Sequence, residues 1–115
     1  MIDLTDSHAH LDDSSFDPDR AQVLRRAAEA GVHRIVVPAI HRDSWTGIEQ
    51  LCAQYPQALP AYGLHPIFLA QHRPEHVDEL VQWLTGHPAV AVGEIGLDYF
   101  LEELDRDLQR HYFER

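Results

Sequence analysis

Ala89-Val90-Ala91-Val92-Gly93-Glu94-Ile95-Gly96-Leu97-Asp98 joins a short apolar run to a carboxylate set between two glycines. The run is continuous rather than alternating, the pattern of a parallel strand covered on both faces. Ile35-Val36-Val37 repeats it. Strand character is found in four places, residues 2–5, 34–38, 59–63 and 89–93. Helical patterns lie between them. After Asp17-Pro18, a cap followed by Pro, Ala21, Leu24 and Ala28 share a face, and Gly31 stops the helix. Trp45, Ile48, Leu51, Cys52 and Tyr55 line a second helix ending before Pro56. A third starts near Pro74 with Val77, Leu80, Val81 and Leu84 at helical spacing, before Gly86 and Pro88. A fourth is expected after Asp98, with Leu101, Leu104, Leu108 and Tyr112 as its apolar stripe.

The order is therefore β-α-β-α-β-α-β-α, without a long linker or low-complexity segment. Each unit has about 25–35 residues, the size of βα units in a barrel. The expected class is α/β: a (βα)8 TIM-type barrel, of which residues 1–115 supply the first four units on a parallel sheet. A four-stranded open parallel sheet is the alternative. An open sheet edge and an uncovered interior are liabilities in water, so self-association of the half-barrel is expected.

The length of 115 residues suits one modest domain. With 44% hydrophobic and 24% charged residues, the composition is that of a soluble globular protein. No apolar stretch approaches a membrane span, and the first residues show no signal-type pattern. The single cysteine, Cys52, cannot form an internal disulfide, so a cytoplasmic protein is expected. A formal charge of −10 argues against a simple nucleic-acid binder, since phosphate binding is driven by Lys and Arg. A metal-dependent nuclease survives that argument, because bound cations supply local positive charge.

In βα architectures, chemistry gathers at the C-terminal ends of the strands. Here those ends deliver Asp6-Ser7-His8-Ala9-His10, then Ala39-Ile40-His41, then Gly63-Leu64-His65-Pro66, then Gly93-Glu94. With nine histidines in the chain, a His-x-His arises by chance about once, so position carries the argument. His8 and His10 are two apart on an extended segment and leave the same face, where both imidazoles can bind one metal. Glu94, just past a buried strand, needs a partner for its charge, and a metal ion or ion pair supplies one. An ion pair with Arg or Lys is its other reading. His65 either touches substrate or is a loop histidine held by Pro66. His41 has the same two readings and leans to the structural one. Asp98 either orients a group at the site or caps the fourth helix. Asp6 supports His8 or makes a turn. His33, His72, His76, His87 and His111 are expected on helices or in loops, in contact with solvent. No Gly-rich phosphate loop, Ser-His-Asp order or CxxC pattern is present.

Asp6-Ser7-His8-Ala9-His10-Leu11 resembles the opening motif of the TatD-type hydrolases of the amidohydrolase superfamily. Gly63-Leu64-His65-Pro66 is similar to their third-strand motif. Gly93-Glu94-Ile95-Gly96-Leu97-Asp98-Tyr99 is similar to their fourth, the most specific of the three. Gln109-Arg110-His111-Tyr112-Phe113 fits their following helix. Phe100 stands where a second Tyr is frequent. The resemblance covers the whole chain. It implies a (βα)8 barrel with one or two divalent metal ions (Mg, Zn or Mn) and hydrolysis of phosphodiesters, chiefly DNA. Carried over, His8 and His10 would bind one metal, and Glu94 would bind or bridge metals. The family's remaining ligands, histidines after later strands and an aspartate near the last, would fall beyond Arg115. The implied chemistry is metal-assisted hydrolysis, with the aspartate beyond Arg115 as general base. Within residues 1–115 the candidate catalytic residues are Glu94 and His65. Another amidohydrolase or phosphoesterase on the same scaffold shares fold and ligands. A non-catalytic truncated fragment is the reading from a different class.

Overall fold

The computed structural model describes residues 2–100 and 104–115. Its regular elements are β1 (Leu4–Asp6), α1 (Arg20–Glu29), β2 (Val32–Pro38), α2 (Trp45–Gln54), β3 (Ala58–Tyr62), α3 (Pro74–Gly86), β4 (Ala91–Val92) and α4 (Arg106–Glu114). Three short 3-10 segments, Ser14–Phe16, Arg42–Ser44 and Pro66–Gln71, follow the first three strands. All strand pairs are parallel, and the sheet order is β1-β2-β3-β4. Strand neighbours in space are thus neighbours in the chain. A doubly wound sheet reverses its order at a switch point, and none occurs here. The arrangement is that of the first four βα units of a TIM-type barrel.

The core lies between the helices and the two central strands. β2 and β3 pair from Ile35↔Ala58 to Pro38↔Ala61, and Ile35, Val37, Ala58 and Tyr62 are buried. α1 presents Leu24, α2 presents Trp45, Ile48 and Leu51, and α3 presents Leu80. Burying such a side chain contributes about 1.5–3 kcal/mol, which is why these amphipathic segments dock as helices. Trp45 also donates from Nε1 to the Gly63 carbonyl at 3.2 Å, tying the start of α2 to the C-terminal end of β3.

The edges differ from the sequence expectation. β4 is two residues long with both exposed, and Val90 is exposed as well, so the apolar run at 90–92 is not covered on both faces. It pairs only with β3 (Ala61↔Ala91, Tyr62↔Val92), and an edge strand has a neighbour on one side alone. β1 is exposed along its length. α1 begins at Arg20 rather than at Asp17-Pro18. Asp13 instead accepts from the Ser15 N–H, and Asp17 takes the Arg20 guanidinium. α4 begins at Arg106, capped by Asp105, which accepts from the N–H groups of Asp107 and Leu108. Leu101 lies outside the described residues. Gln109 is the buried residue of that helix, while Leu108 is exposed. None of the described helices is long and apolar enough to cross a membrane.

Two outcomes follow from this packing. With Ile2, Leu4, Val90 and Val92 exposed beside open strand edges, the isolated 115-residue chain should self-associate or melt without cooperativity. Light scattering and a thermal melt check this; a monodisperse monomer with a sharp transition would contradict it. Burial, helped by the Asp12 carboxylate, pushes the Cys52 thiol up to about 11. Against the ordinary thiol value of 9.0, that shift should slow alkylation at pH 8 by ~100-fold relative to the denatured chain. Equal rates in native buffer and in urea would show the thiol to be free of the core.

Candidate metal centre

The site is assembled from the ends of β1, β3 and β4. Beyond β1 the chain stays extended, and the Ala9 N–H donates to the Val36 carbonyl at 3.0 Å, prolonging the β1–β2 ladder. Ala9 packs toward the core, so His8 and His10 both leave the opposite face. Asp6 accepts from the His8 N–H at 3.0 Å and turns the chain there, which is the turn reading of that residue. Arg20 then clamps the loop after His10, donating to the carbonyls of Leu11 (2.7 Å) and Asp13 (2.9 Å).

Glu94 arrives from β4 through a close backbone contact. A Cβ on Gly63 would stand 1.4 Å from the Gly93 carbonyl oxygen, and one on Gly93 would stand 2.6 Å from that of Ala61. Neither position can carry a side chain while β3 and β4 approach this way. Glu94 itself has φ +50, among the described residues the sole non-glycine with positive φ. That left-handed conformation costs about 1–2 kcal/mol and turns the chain sharply at the strand end.

The side chains converge. His8 Nε2 and His10 Nε2 are 3.2 Å apart, with the rings edge to face. Glu94 Oε1 lies 3.4 Å from His8 Nε2, and Oε2 lies 3.7 Å from His10 Nε2 and 3.8 Å from His65 Nε2. The Glu94 side chain is only 10% exposed, and among the described residues the nitrogens within 4 Å of its carboxylate are those of these three histidines, with no Arg. His8, His10 and Glu94 each offer a ligand atom within 4.8 Å of the others. Two nitrogens bound at about 2.1 Å to one tetrahedral ion would stand about 3.4 Å apart. The donor set and its spacing therefore fit a divalent ion.

Around this cluster is a cleft of about 320 Å³ lined by His10, Asp12, Asp13, Ile40, His65, Ile67, Phe68 and Glu94. Asp12, unassigned from the sequence, has a buried Oδ1 with no hydrogen-bond partner among the described residues, and burial raises its pKa. His41 does not join the cluster; its ring lies against Phe68 and its buried Nδ1 has no partner. Asp98 neither joins it nor caps α4. It accepts from the Phe100 N–H, and its backbone N–H and carbonyl bond the Gln109 amide.

The remaining histidines split. His33 lies on β2 and is exposed, as is His111. His76 accepts from the Arg73 N–H, and His87 stacks on Trp83 at 3.6 Å. His72, expected in solvent, is buried at 8% exposure. The cause is a hydrogen bond of 2.7 Å to the His65 carbonyl and a ring contact with Tyr112 of α4. A lone histidine two residues before Pro74 carries no sequence signal for that role.

Comparison with known proteins agrees with the fold. The chain is 42% identical over 97 residues to an uncharacterized metal-dependent hydrolase, YjjV, of Escherichia coli (strain K12), covering 83% of this chain and 38% of the relative. It is 28% identical over 94 residues to the 3'-5' ssDNA/RNA exonuclease TatD of Shigella flexneri serotype 5b (strain 8401), covering 82% and 36%. The crystal structure of YjjV superposes with a TM-score of 0.90 at 36% identity over the longer structural alignment, covering 96% of this chain and 44% of that one. The chain thus spans less than half the length of these relatives. The profile of the TatD related DNases matches residues 5–115, nearly the entire sequence, and the chain belongs to that family.

Proposed function

We propose that residues 1–115 are the N-terminal half of a single (βα)8 metal-dependent hydrolase domain that cleaves phosphodiester bonds, with DNA as substrate. One observation carries this reading. A nearly buried carboxylate, Glu94, sits in a strained backbone conformation, faced by imidazole nitrogens and by no guanidinium among the described residues. An uncompensated buried charge costs several kcal/mol, and a cation held by His8, His10 and Glu94 would remove that cost. One or two Mg, Zn or Mn ions suit a donor set of imidazole and carboxylate.

Such an ion would activate water near neutral pH and polarise the phosphoryl oxygen. The chain's own residues do the rest. His8 and His10 would turn Nε2 lone pairs to that ion from one strand end. Glu94 supplies negative charge from across the mouth. His65 faces the same cleft and is placed to donate to a substrate oxygen. The name of the Shigella relative supports a nucleic-acid substrate. That of YjjV supports metal dependence and leaves the substrate class open. The lone Cys52 suits a reducing compartment, and a cytoplasmic setting belongs to the same proposal.

The full gene product should cleave a DNA oligonucleotide, lose that activity in EDTA and regain it with added divalent metal. Turnover of amides or lactones with none of DNA would move the function to another branch of the superfamily. Glu94→Gln keeps the shape and removes the charge. It should weaken metal binding by about 100-fold or more, beyond the 10- to 100-fold cost of losing a group that only orients a ligand. His8→Ala and His10→Ala should lower affinity similarly and combine less than additively, because they serve one site. Calorimetric titration showing unchanged affinity in all three would sink the assignment.

A further inference from the structure

We infer that His72 is a positioning residue for His65, fixing the backbone from which a protonated His65 Nε2 is aimed into the cleft; this rests on the hydrolase reading above. His65 is held at four points. Its N–H donates to the Ile40 carbonyl at 2.7 Å, and its carbonyl accepts from the Phe68 N–H at 3.2 Å. The same carbonyl accepts from His72 Nε2 at 2.7 Å. Its Nδ1 accepts from the Ile67 N–H at 3.0 Å.

The last bond assigns the tautomer. A backbone N–H can only donate, so His65 Nδ1 carries a lone pair and the proton of the neutral ring sits on Nε2. That Nε2 is the atom 3.8 Å from Glu94 Oε2. His65 therefore presents a donor at the cleft, suited to a phosphoryl or leaving-group oxygen. The geometry holds only while residues 65–67 keep their turn, because Ile67 N–H must reach back to its neighbour's ring.

His72 closes that turn from the far end of the 3-10 segment Pro66–Gln71. The His65 carbonyl can only accept, so His72 Nε2 must donate and its Nδ1 is bare. That Nδ1 is buried and has no partner among the described residues, which disfavours adding a proton there. Burial accordingly holds the His72 pKa below the usual histidine value, keeping the ring neutral. Tyr112 packs edge-on against His72 at 5.7 Å, so α4 backs the arrangement. A buried imidazole with one polar contact, directed at the backbone of a cleft residue, has an orienting role that a Leu or Phe would not fill.

The test uses His72→Phe, which loses the donor, and His72→Gln, which keeps one. Nitrogen-15 NMR of the histidine rings should show wild-type His65 protonated on Nε2, mixed tautomers in His72→Phe, and the wild-type pattern in His72→Gln. On a DNA oligonucleotide, kcat of the full gene product should fall about 10- to 100-fold in His72→Phe, as for a catalytic group shifted by a fraction of an ångström. KM should stay within about threefold. His72→Gln should restore most of kcat, and zinc affinity should match wild type in both. A wild-type His65 protonated on Nδ1 overturns the inference, whether or not either variant folds. So does His72→Phe with unchanged tautomer and kcat, or a loss of zinc affinity parallel to that of kcat. If wild type binds no metal and cleaves no DNA, the hydrolase reading fails, while the ring spectra still decide the link between His72 and His65.

Discussion

Backbone touches backbone where β3 meets β4, and the site depends on that contact. Gly63 and Gly93 approach so closely that a Cβ on either would overlap a carbonyl of the opposing strand. The Gly93 N–H reaches the Tyr62 carbonyl at 2.9 Å across the same gap. Glu94 is one residue beyond the contact and His65 is two residues beyond it. The separation of their side chains is therefore set by strand pairing rather than by flexible loops. On the other flank, the Ala9–Val36 hydrogen bond does the same for His8 and His10. Three strand ends thus deliver four polar side chains to one mouth, with positions inherited from the sheet. The strained Glu94 backbone follows directly on Gly93, which the sheet holds through its bond to Tyr62.

Charge has to be balanced differently inside this mouth and outside it. The chain carries nine arginines and no lysine against nineteen acidic residues. Most of the arginines are already engaged: Arg34 with Asp3, Arg26 with Asp19, Arg42 with Glu79, Arg110 with Asp107, Arg115 with Asp78, and Arg106 over the Tyr99 ring. Exposed pairs of this kind contribute little to stability, about 0–1 kcal/mol each. They do occupy most of the arginines, and among the described residues they leave few free cations to attract phosphate. If such an acidic protein acts on a polyanion, as proposed, it needs positive charge at the reaction centre itself, and a bound divalent ion would concentrate it there.

Much of the fold was legible because it rests on periodicity. The run Ile35-Val36-Val37 is a central strand, and Trp45, Ile48 and Leu51 are a buried helix face, as their spacing indicates. The grouping of His8, His10, His65 and Glu94 was legible because strand-end positions in a βα chain can be counted. What escaped was decided by pairing and by polar contacts. Apolar character extends over residues 89–93, but the ladder with β3 registers only Ala91 and Val92, with single bonds from the Val90 and Gly93 N–H groups at its ends. Helical spacing points to leucines as the buried face of α4, whereas Gln109 occupies it. Its amide exchanges two hydrogen bonds of 2.8 Å with the Asp98 backbone, and hydropathy carries no trace of that. His72 escaped for the same reason, since a buried histidine and a solvated one are written with the same letter.

The histidines of the mouth are told apart by what their other atoms do. His65 has its Nδ1 engaged by a backbone N–H, so its exposed nitrogen is a donor. His8 and His10 face each other with Nε2 atoms 3.2 Å apart. Two neutral rings so placed share one hydrogen bond at best, and with both lone pairs inward they repel. A cation between them, as proposed, would convert that repulsion into attraction and take Glu94 as its counter-charge. A donor on one side and acceptors on the other is also the polarity that hydrolysis of a phosphodiester requires: acceptors to hold the cation, and a proton directed at a substrate oxygen. Exchanging the roles would leave Glu94 facing lone pairs at His65 and would leave the cation facing protons. The backbone N–H of Ile67, which fixes the His65 tautomer, is thus as much a part of the electrostatic design as Glu94 itself.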